Sequence, residues 1–170
     1  MFDGEGFVRG VLRKGRKLAT ARVLVGQWRR WLSDRRFLCQ AAVAEIALFD
    51  AHQAVMHDLA ARIRACYPDL KVTVGSNDPA GFDIVVHATP LGMKAGDPLP
   101  MDVARNLVLG AGRRGRDERG DHAVPGGGAR GCEVQVGTDM LFEQIPAYLA
   151  FFGFGTATAD ELREIARIRY

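Results

Sequence analysis

The sequence predicts an α/β domain with a mainly parallel sheet flanked by helices. Short apolar runs alternate with longer segments of helical periodicity, the order expected when crossover helices join parallel strands. The best of these runs, Ala44–Phe49, is apolar apart from Glu45 and does not alternate, as suits a strand covered on both faces. Polar or small residues follow several runs (Asp50, His87-Ala88-Thr89, Gly137). That places them at the strand C-termini, where open parallel sheets bind ligands.

Taken in order, Asp3–Lys17 carries Phe7, Val8, Val11 and Leu12 at helical spacing. Ala21–Val25 reads as the first strand. Gln27–Gln40 keeps Trp28, Trp31, Leu32 and Leu38 near one helical face, and Ala44–Phe49 is the second strand. Ala51–Tyr67 reads as an amphipathic helix with Ala54, Leu59, Ile63 and Cys66 on its inner side. Leu70–Val74 is a third strand, Ser76–Pro79 a turn, and Phe82–Val86 a fourth strand.

Pro98 and Pro100 interrupt the chain before a short helix near Met101–Arg105, and Leu107–Leu109 is a weak fifth strand. Gly110–Gly131 is rich in glycine and arginine and almost free of apolar residues. Such a stretch buries too little surface to offset chain entropy, so a loose loop is expected. Gly126–Gly128 lies within it and reads as linker. Cys132–Val136 is a further strand. Asp139–Phe152 is a helix, and Thr158–Ile168 is another, opened by a capping arrangement of Thr158 with Glu161.

The bulk properties bound the function. The chain has 170 residues, a length that favours a single domain over 1–170. Apolar residues make up 48% and charged residues 25%, and no apolar run nears the roughly 20 residues of a membrane span. The three cysteines are widely spaced and fit neither a disulfide framework nor a metal site, in keeping with a reducing cytoplasm. The net charge of +3 gathers in Arg9–Arg36 and Arg113–Arg116. No nucleic-acid-binding motif accompanies it, so it reads as solvated charge.

Within this frame Ala21–Asp50 has the form of a dinucleotide-binding strand–turn–helix–strand unit. In such units a glycine-rich turn follows the first strand, because bare backbone and a helix N-terminus must approach a pyrophosphate. Here Gln27-Trp28-Arg29-Arg30-Trp31 occupies that place. Asp50, closing the second strand, suits an adenosine ribose and would repel a 2′-phosphate, which favours NAD over NADP. It equally suits the N-cap of the helix that follows.

Three motifs resemble those of the shikimate/quinate dehydrogenase family, in the family's order and over nearly the whole chain. They are Met1-Phe2-Asp3-Gly4-Glu5-Gly6-Phe7, His87-Ala88-Thr89-Pro90-Leu91-Gly92-Met93 and Gly137-Thr138-Asp139-Met140-Leu141-Phe142-Glu143-Gln144. The resemblance implies a Rossmann-like fold with C-terminal helices packing back on it. It implies an oxidoreductase acting on shikimate or quinate with a nicotinamide cofactor. It also implies that the family's N-terminal substrate domain, with its catalytic lysine, is not represented here. Lys14, Lys17 and Lys94 match no catalytic position.

By the same resemblance Asp3 is the partner of that lysine and a substrate ligand. Gln144 is a second substrate ligand. Thr89, Gly92, Met93, Gly137 and Met140 lie along the cofactor with Asp50. His87 stands where the family has asparagine, and as a lone histidine ending a strand it reads as structural.

Two windows, about Gln27–Gln40 and Asn106–Ala129, depart from the family. Both are compatible with translation one base out of frame. Tryptophan has a single codon, TGG, so a one-base shift turns Trp28 and Trp31 into glycines at fingerprint spacing. Permitted codons then let the shifted triplets of Gly26–Gln40 read GSGGVGSAIAASFA. On this reading the glycine loop and the fifth-strand region are perturbed, NAD binds weakly or not at all, and activity is low. The alternative is a non-catalytic α/β module that uses a basic helix, Trp28–Arg36, to bind a protein or acidic partner.

Overall fold

A computed structural model describes residues 3–26, 35–88, 135 and 137–166. The element order is α1 (Asp3–Arg13), β1 (Arg22–Gly26), α2 (Arg35–Gln40), β2 (Glu45–Phe49), α3 (Gln53–Cys66), β3 (Lys71–Val74), β4 (Ile84–His87), α4 (Gly137–Phe151) and α5 (Ala159–Ala166). The strands form a four-stranded sheet in the order β3-β2-β1-β4, and every pairing is parallel. The expected α/β class and all four of the first strands are therefore present.

The chain steps outward from β1 to β2 to β3, then returns to place β4 on the other side of β1. The stepping direction thus reverses between β1 and β4, and it is beyond the C-terminal strand ends at such a point that open α/β sheets bind ligands.

Pleating sends alternate residues to opposite faces. Val23, Val25, Ile46, Leu48, Val72, Ile84 and Val86 share one core with Phe7 and Val11 of α1, Leu38 of α2 and Met56, Leu59 and Ile63 of α3. Leu24, Ala47 and Val85 point the other way and pack with Phe49 and Phe82. Both faces are thus covered, which is why the strands read as unbroken apolar runs. Each fully buried Leu, Val or Phe contributes about 1.5–3 kcal/mol by leaving water.

The inner side of α3 differs from the expected one. Met56, Leu59, Ala60 and Ile63 are buried, whereas Ala54 and Cys66 are exposed. The four buried residues follow the i, i+3, i+4, i+7 rule; Ala54 lies on the opposite side, and Cys66, though one i+3 step past Ile63, is the last residue of the helix and exposed. Asp50 is not the cap of this helix. The N-cap position belongs to His52, which makes no side-chain capping bond. Asp50 instead accepts the His52 backbone N–H through Oδ1 at 2.8 Å, closing the turn just before the helix.

Gln135 was expected within a strand over Cys132–Val136. It is not part of the four-stranded sheet; its side chain is buried against α1 and donates to the Phe7 carbonyl at 3.2 Å.

The last two helices have well-defined ends. α4 closes in a Schellman motif, with Phe154 N–H donating to Leu149 O at 2.9 Å and Gly153 N–H to Ala150 O at 3.2 Å. Gly153 sits at φ 72°, a conformation that glycine adopts without steric cost. The capping box of α5 is complete. Glu161 N–H donates to Thr158 Oγ1 at 3.2 Å and Thr158 N–H to Glu161 Oε2 at 2.7 Å, and the same contacts hold the Glu161 carboxyl below its usual range.

The expected helix Met101–Arg105, the strand Leu107–Leu109, the loop Gly110–Gly131 and most of Gln27–Gln40, including Trp28 and Trp31, lie outside the described residues. Leu38 of α2 is buried as expected.

Candidate functional site

Three strands end level with one another at the point of reversal. Gly26 is in register with Phe49 on one side and His87 on the other. Ala88 N–H donates to Gly26 O at 2.8 Å, which carries the β1–β4 pairing one residue past the strand. His87 is buried at 8% exposure.

Asp50 follows β2 directly, on the same rim. Its Oδ1 is engaged by His52 N–H, and Gln53 Nε2 donates to its backbone carbonyl at 3.3 Å. These contacts fix the carboxylate at the strand end. Among the described residues Oδ2 has no partner, so a ribose hydroxyl could be accepted there.

The second group of expected residues meets across helices α1 and α4. Gly137 opens α4, and Met140 and Gln144 follow on one face at i and i+4 spacing. α1 lies against that face at very short range. A Cβ on Gly6 would meet Met140 O at 2.6 Å and Gln144 Cβ at 3.0 Å, so the contact requires glycine. Gln144 is buried at 6% exposure and its Oε1 has no hydrogen-bond partner. A buried, unsatisfied carboxamide oxygen costs about 1–3 kcal/mol. Asp3 begins α1, one turn before Gly6.

The structure therefore brings Gly137, Met140 and Gln144 together with the helix that Asp3 opens, and sets Asp50 at the rim of the sheet. Thr89, Gly92 and Met93 lie outside the described residues.

Two features here were not anticipated from sequence. Gln135 is fully buried, with Oε1 unpaired, and rests against Gly10 as Gln144 does against Gly6. Its signal was the single polar residue in the apolar run Val134-Gln135-Val136. The other is a charged network joining α1, α4 and α5. Arg163 Nη2 donates to Glu143 Oε1 at 2.8 Å. Lys14 Nζ stands 3.2 Å from Asp139 Oδ2. Arg13 pairs with Asp160 and lies 3.8 Å from Glu143. The hydrogen bond from Arg13 holds the Asp160 carboxyl below its usual range.

Among the described residues no group of His, Cys, Asp and Glu could hold a metal ion. No helix among them is long and apolar enough to cross a membrane.

All-parallel strands in the order β3-β2-β1-β4, with helices packed on the sheet, define a Rossmann-like α/β fold. Solved structures with the same fold include shikimate and quinate dehydrogenases and a 5-ketofructose reductase. Shikimate 5-dehydrogenase from Listeria monocytogenes, in complex with shikimate and NAD, matches with a TM-score of 0.75 at 18% identity, over 98% of this chain and 62% of that one. Quinate dehydrogenase from Corynebacterium glutamicum, in complex with NAD, matches with a TM-score of 0.75 at 21% identity, over 96% and 60%. The 5-ketofructose reductase of a Gluconobacter strain matches at 0.73 and 19% identity, over 96% and 63%.

At these identities the likeness is one of fold. This chain spans about three-fifths of the length of each of those proteins. No protein-family model and no curated protein matches the sequence.

For a nicotinamide dinucleotide, Asp50 at the β2 rim offers the acceptor that a ribose hydroxyl requires. The segment after Gly26, with Trp28 and Trp31, lies outside the described residues.

Proposed function

We propose that this chain is the nicotinamide-nucleotide domain of a shikimate- or quinate-type dehydrogenase, with its phosphate-binding loop overwritten. The observation that carries this reading is the level ending of β1, β2 and β4 with Asp50 fixed at the β2 rim. The α1–α4 contact at Gly6, which sets Met140 and Gln144 on one face, supports it further. Bound cofactor would supply hydride transfer. The chain's own residues would bind and orient, with Asp50 on the adenosine ribose, Gly137 and Met140 beside the nicotinamide, and Asp3 and Gln144 on the substrate. Thr89, Gly92 and Met93 complete the cofactor wall in this proposal. The proton acceptor for the hydroxyl is not among the lysines of this sequence. NAD is preferred over NADP because Asp50 opposes a 2′-phosphate.

With Trp28 and Trp31 in the loop, NAD affinity is low and activity slight. Calorimetric titration tests both halves of the proposal. The chain as written should show no binding in the micromolar range, which corresponds to about −8 kcal/mol. A variant whose Gly26–Cys39 segment is replaced by GSGGVGSAIAASFA should bind NAD measurably, and Asp50→Ala in that background should weaken it. Micromolar binding by the unaltered chain would sink the overwritten-loop reading. No binding by the restored loop would sink the dinucleotide reading itself.

A further inference from the structure

α5 differs from the other long helices in how it is held. None of its residues is buried and Ile165 is 78% exposed, so its apolar docking is limited to half-buried Ala159 and Leu162. Its described side-chain bonds to α1 and α4 all involve charged groups, and Arg163 also donates to the Asp139 carbonyl at 3.5 Å. Asp160 receives Arg13 of α1, and Arg163 donates to Glu143 of α4 at 2.8 Å. The Arg163 guanidinium also stands 5.6 Å above the Phe142 ring, a cation–π contact.

The segment that joins α5 to α4 is almost wholly exposed over 152–158. It contains Gly153 at positive φ, and Gly155, where a Cβ would meet nothing within 4 Å. α4 itself is closed off by its Schellman motif before this link begins. A helix with its own complete capping box, on an exposed glycine-bearing link, can leave its dock without unwinding its neighbour.

We propose that α5 is a strap held by charge, which leaves α1 and α4 as a unit when ionic strength rises while the sheet remains folded. The exposed Arg13–Asp160 pair, with side chains 45% and 63% exposed, is screened as the Debye length falls from about 10 Å at 0.1 M to about 3 Å at 1 M salt, and the part-buried Arg163–Glu143 pair less strongly. The apolar core of the sheet gains slightly, if anything, under the same change. The strap covers Phe142 and Glu143 on α4, next to Gln144, so its departure uncovers the helix that carries the proposed substrate residue.

Hydrogen exchange followed by mass spectrometry on the whole chain tests this. Between about 50 mM and about 1 M sodium chloride, the protection of the 155–166 peptide should fall about tenfold, while peptides over β1, β2 and β4 keep theirs. Asp160→Asn, at an exposed position that should leave folding intact, should reproduce the loss at low salt. Unchanged α5 protection at high salt would overturn the proposal. So would a parallel loss from the sheet, or an Asp160→Asn protein that exchanges like the parent.

Discussion

Gly10 of α1 presses its backbone against the carboxamide of Gln135, so closely that a Cβ on Gly10 would stand 2.6 Å from Nε2. The glutamine cannot yield easily, since it is fully buried and holds the Phe7 carbonyl through that same nitrogen. In an uncrowded helix, Gly→Ala stabilises by about 0.5–1 kcal/mol. Here Gly10→Ala should instead destabilise by about 1–3 kcal/mol, the cost of overpacking. Gly6→Ala should cost at least as much, because its obstacle is the backbone oxygen of Met140. The sign of the shift in urea midpoint decides the matter, and a stabilised Gly10→Ala protein would refute the close contact.

Glu45 gives the sheet a defined acid response. Burial opposes its charge, yet hydrogen bonds from Arg22 and Lys71 outweigh burial and hold its carboxyl below the ordinary value. A folded-state value below the unfolded one means stability that is present above the unfolded value and lost as pH falls through the folded one. Glu45→Gln should therefore be less stable by about 1–2 kcal/mol near neutrality. That gap should close as pH drops below the usual carboxylate range. A gap independent of pH, measured by urea unfolding at several pH values, would show that charge plays no part.

Thr20 and Ala42 adopt φ values of 67° and 55°, the left-handed region that disfavours a Cβ. Thr20 N–H donates to Ala42 O at 3.0 Å, so the two turns brace each other just ahead of β1 and β2. Ala42→Gly relieves the strain without touching that bond. It should stabilise the protein by about 0.5–1 kcal/mol, or about 1–4 °C in Tm. A lowered Tm in a thermal scan would contradict this.

Phe7 and Phe154 offer a matched contrast. Phe7 is fully buried between α1 and the sheet, while Phe154 is 66% exposed. Phe7→Ala should cost about 3–5 kcal/mol, and Phe154→Ala should stay within about 0.5 kcal/mol. Equal effects in denaturant titrations would mean that Phe154 is covered in solution.

What the sequence made legible was whatever rests on local periodicity. β1 to β4 were visible as apolar runs because both faces of the sheet are covered. Thr158 and Glu161 announced the start of α5 because a capping box is local chemistry. The inner face of α3 was misread at its ends, since Ala54 and Cys66 are apolar enough to pass for core, yet Ala54 lies off the Met56–Ile63 stripe and Cys66 ends the helix exposed. The Arg13–Asp160 pair was invisible, because it joins residues 147 positions apart and charges read as solvated until a partner is seen. Met140 and Gln144 were singled out by motif, and their contact with Gly6 came only from the helix packing. Their roles, like those of Thr89, Gly92 and Met93, are proposals from resemblance.

Glu45 also does something for the sheet that stability alone does not express. Arg22, Glu45 and Lys71 occupy one register row across β1, β2 and β3. The Glu45 carboxylate takes Arg22 Nε at 3.0 Å and Lys71 Nζ at 3.2 Å. A slip of one residue by either neighbour would set Ala21 or Val23, or Leu70 or Val72, opposite it and turn every side chain of the slipped strand to the wrong face. A buried carboxylate would then confront hydrocarbon without a cation, a costly arrangement. One acid at the N-terminal edge thus proofreads the alignment of three strands. The level rim at their far ends, where Gly26, Phe49 and His87 finish together, depends on that alignment.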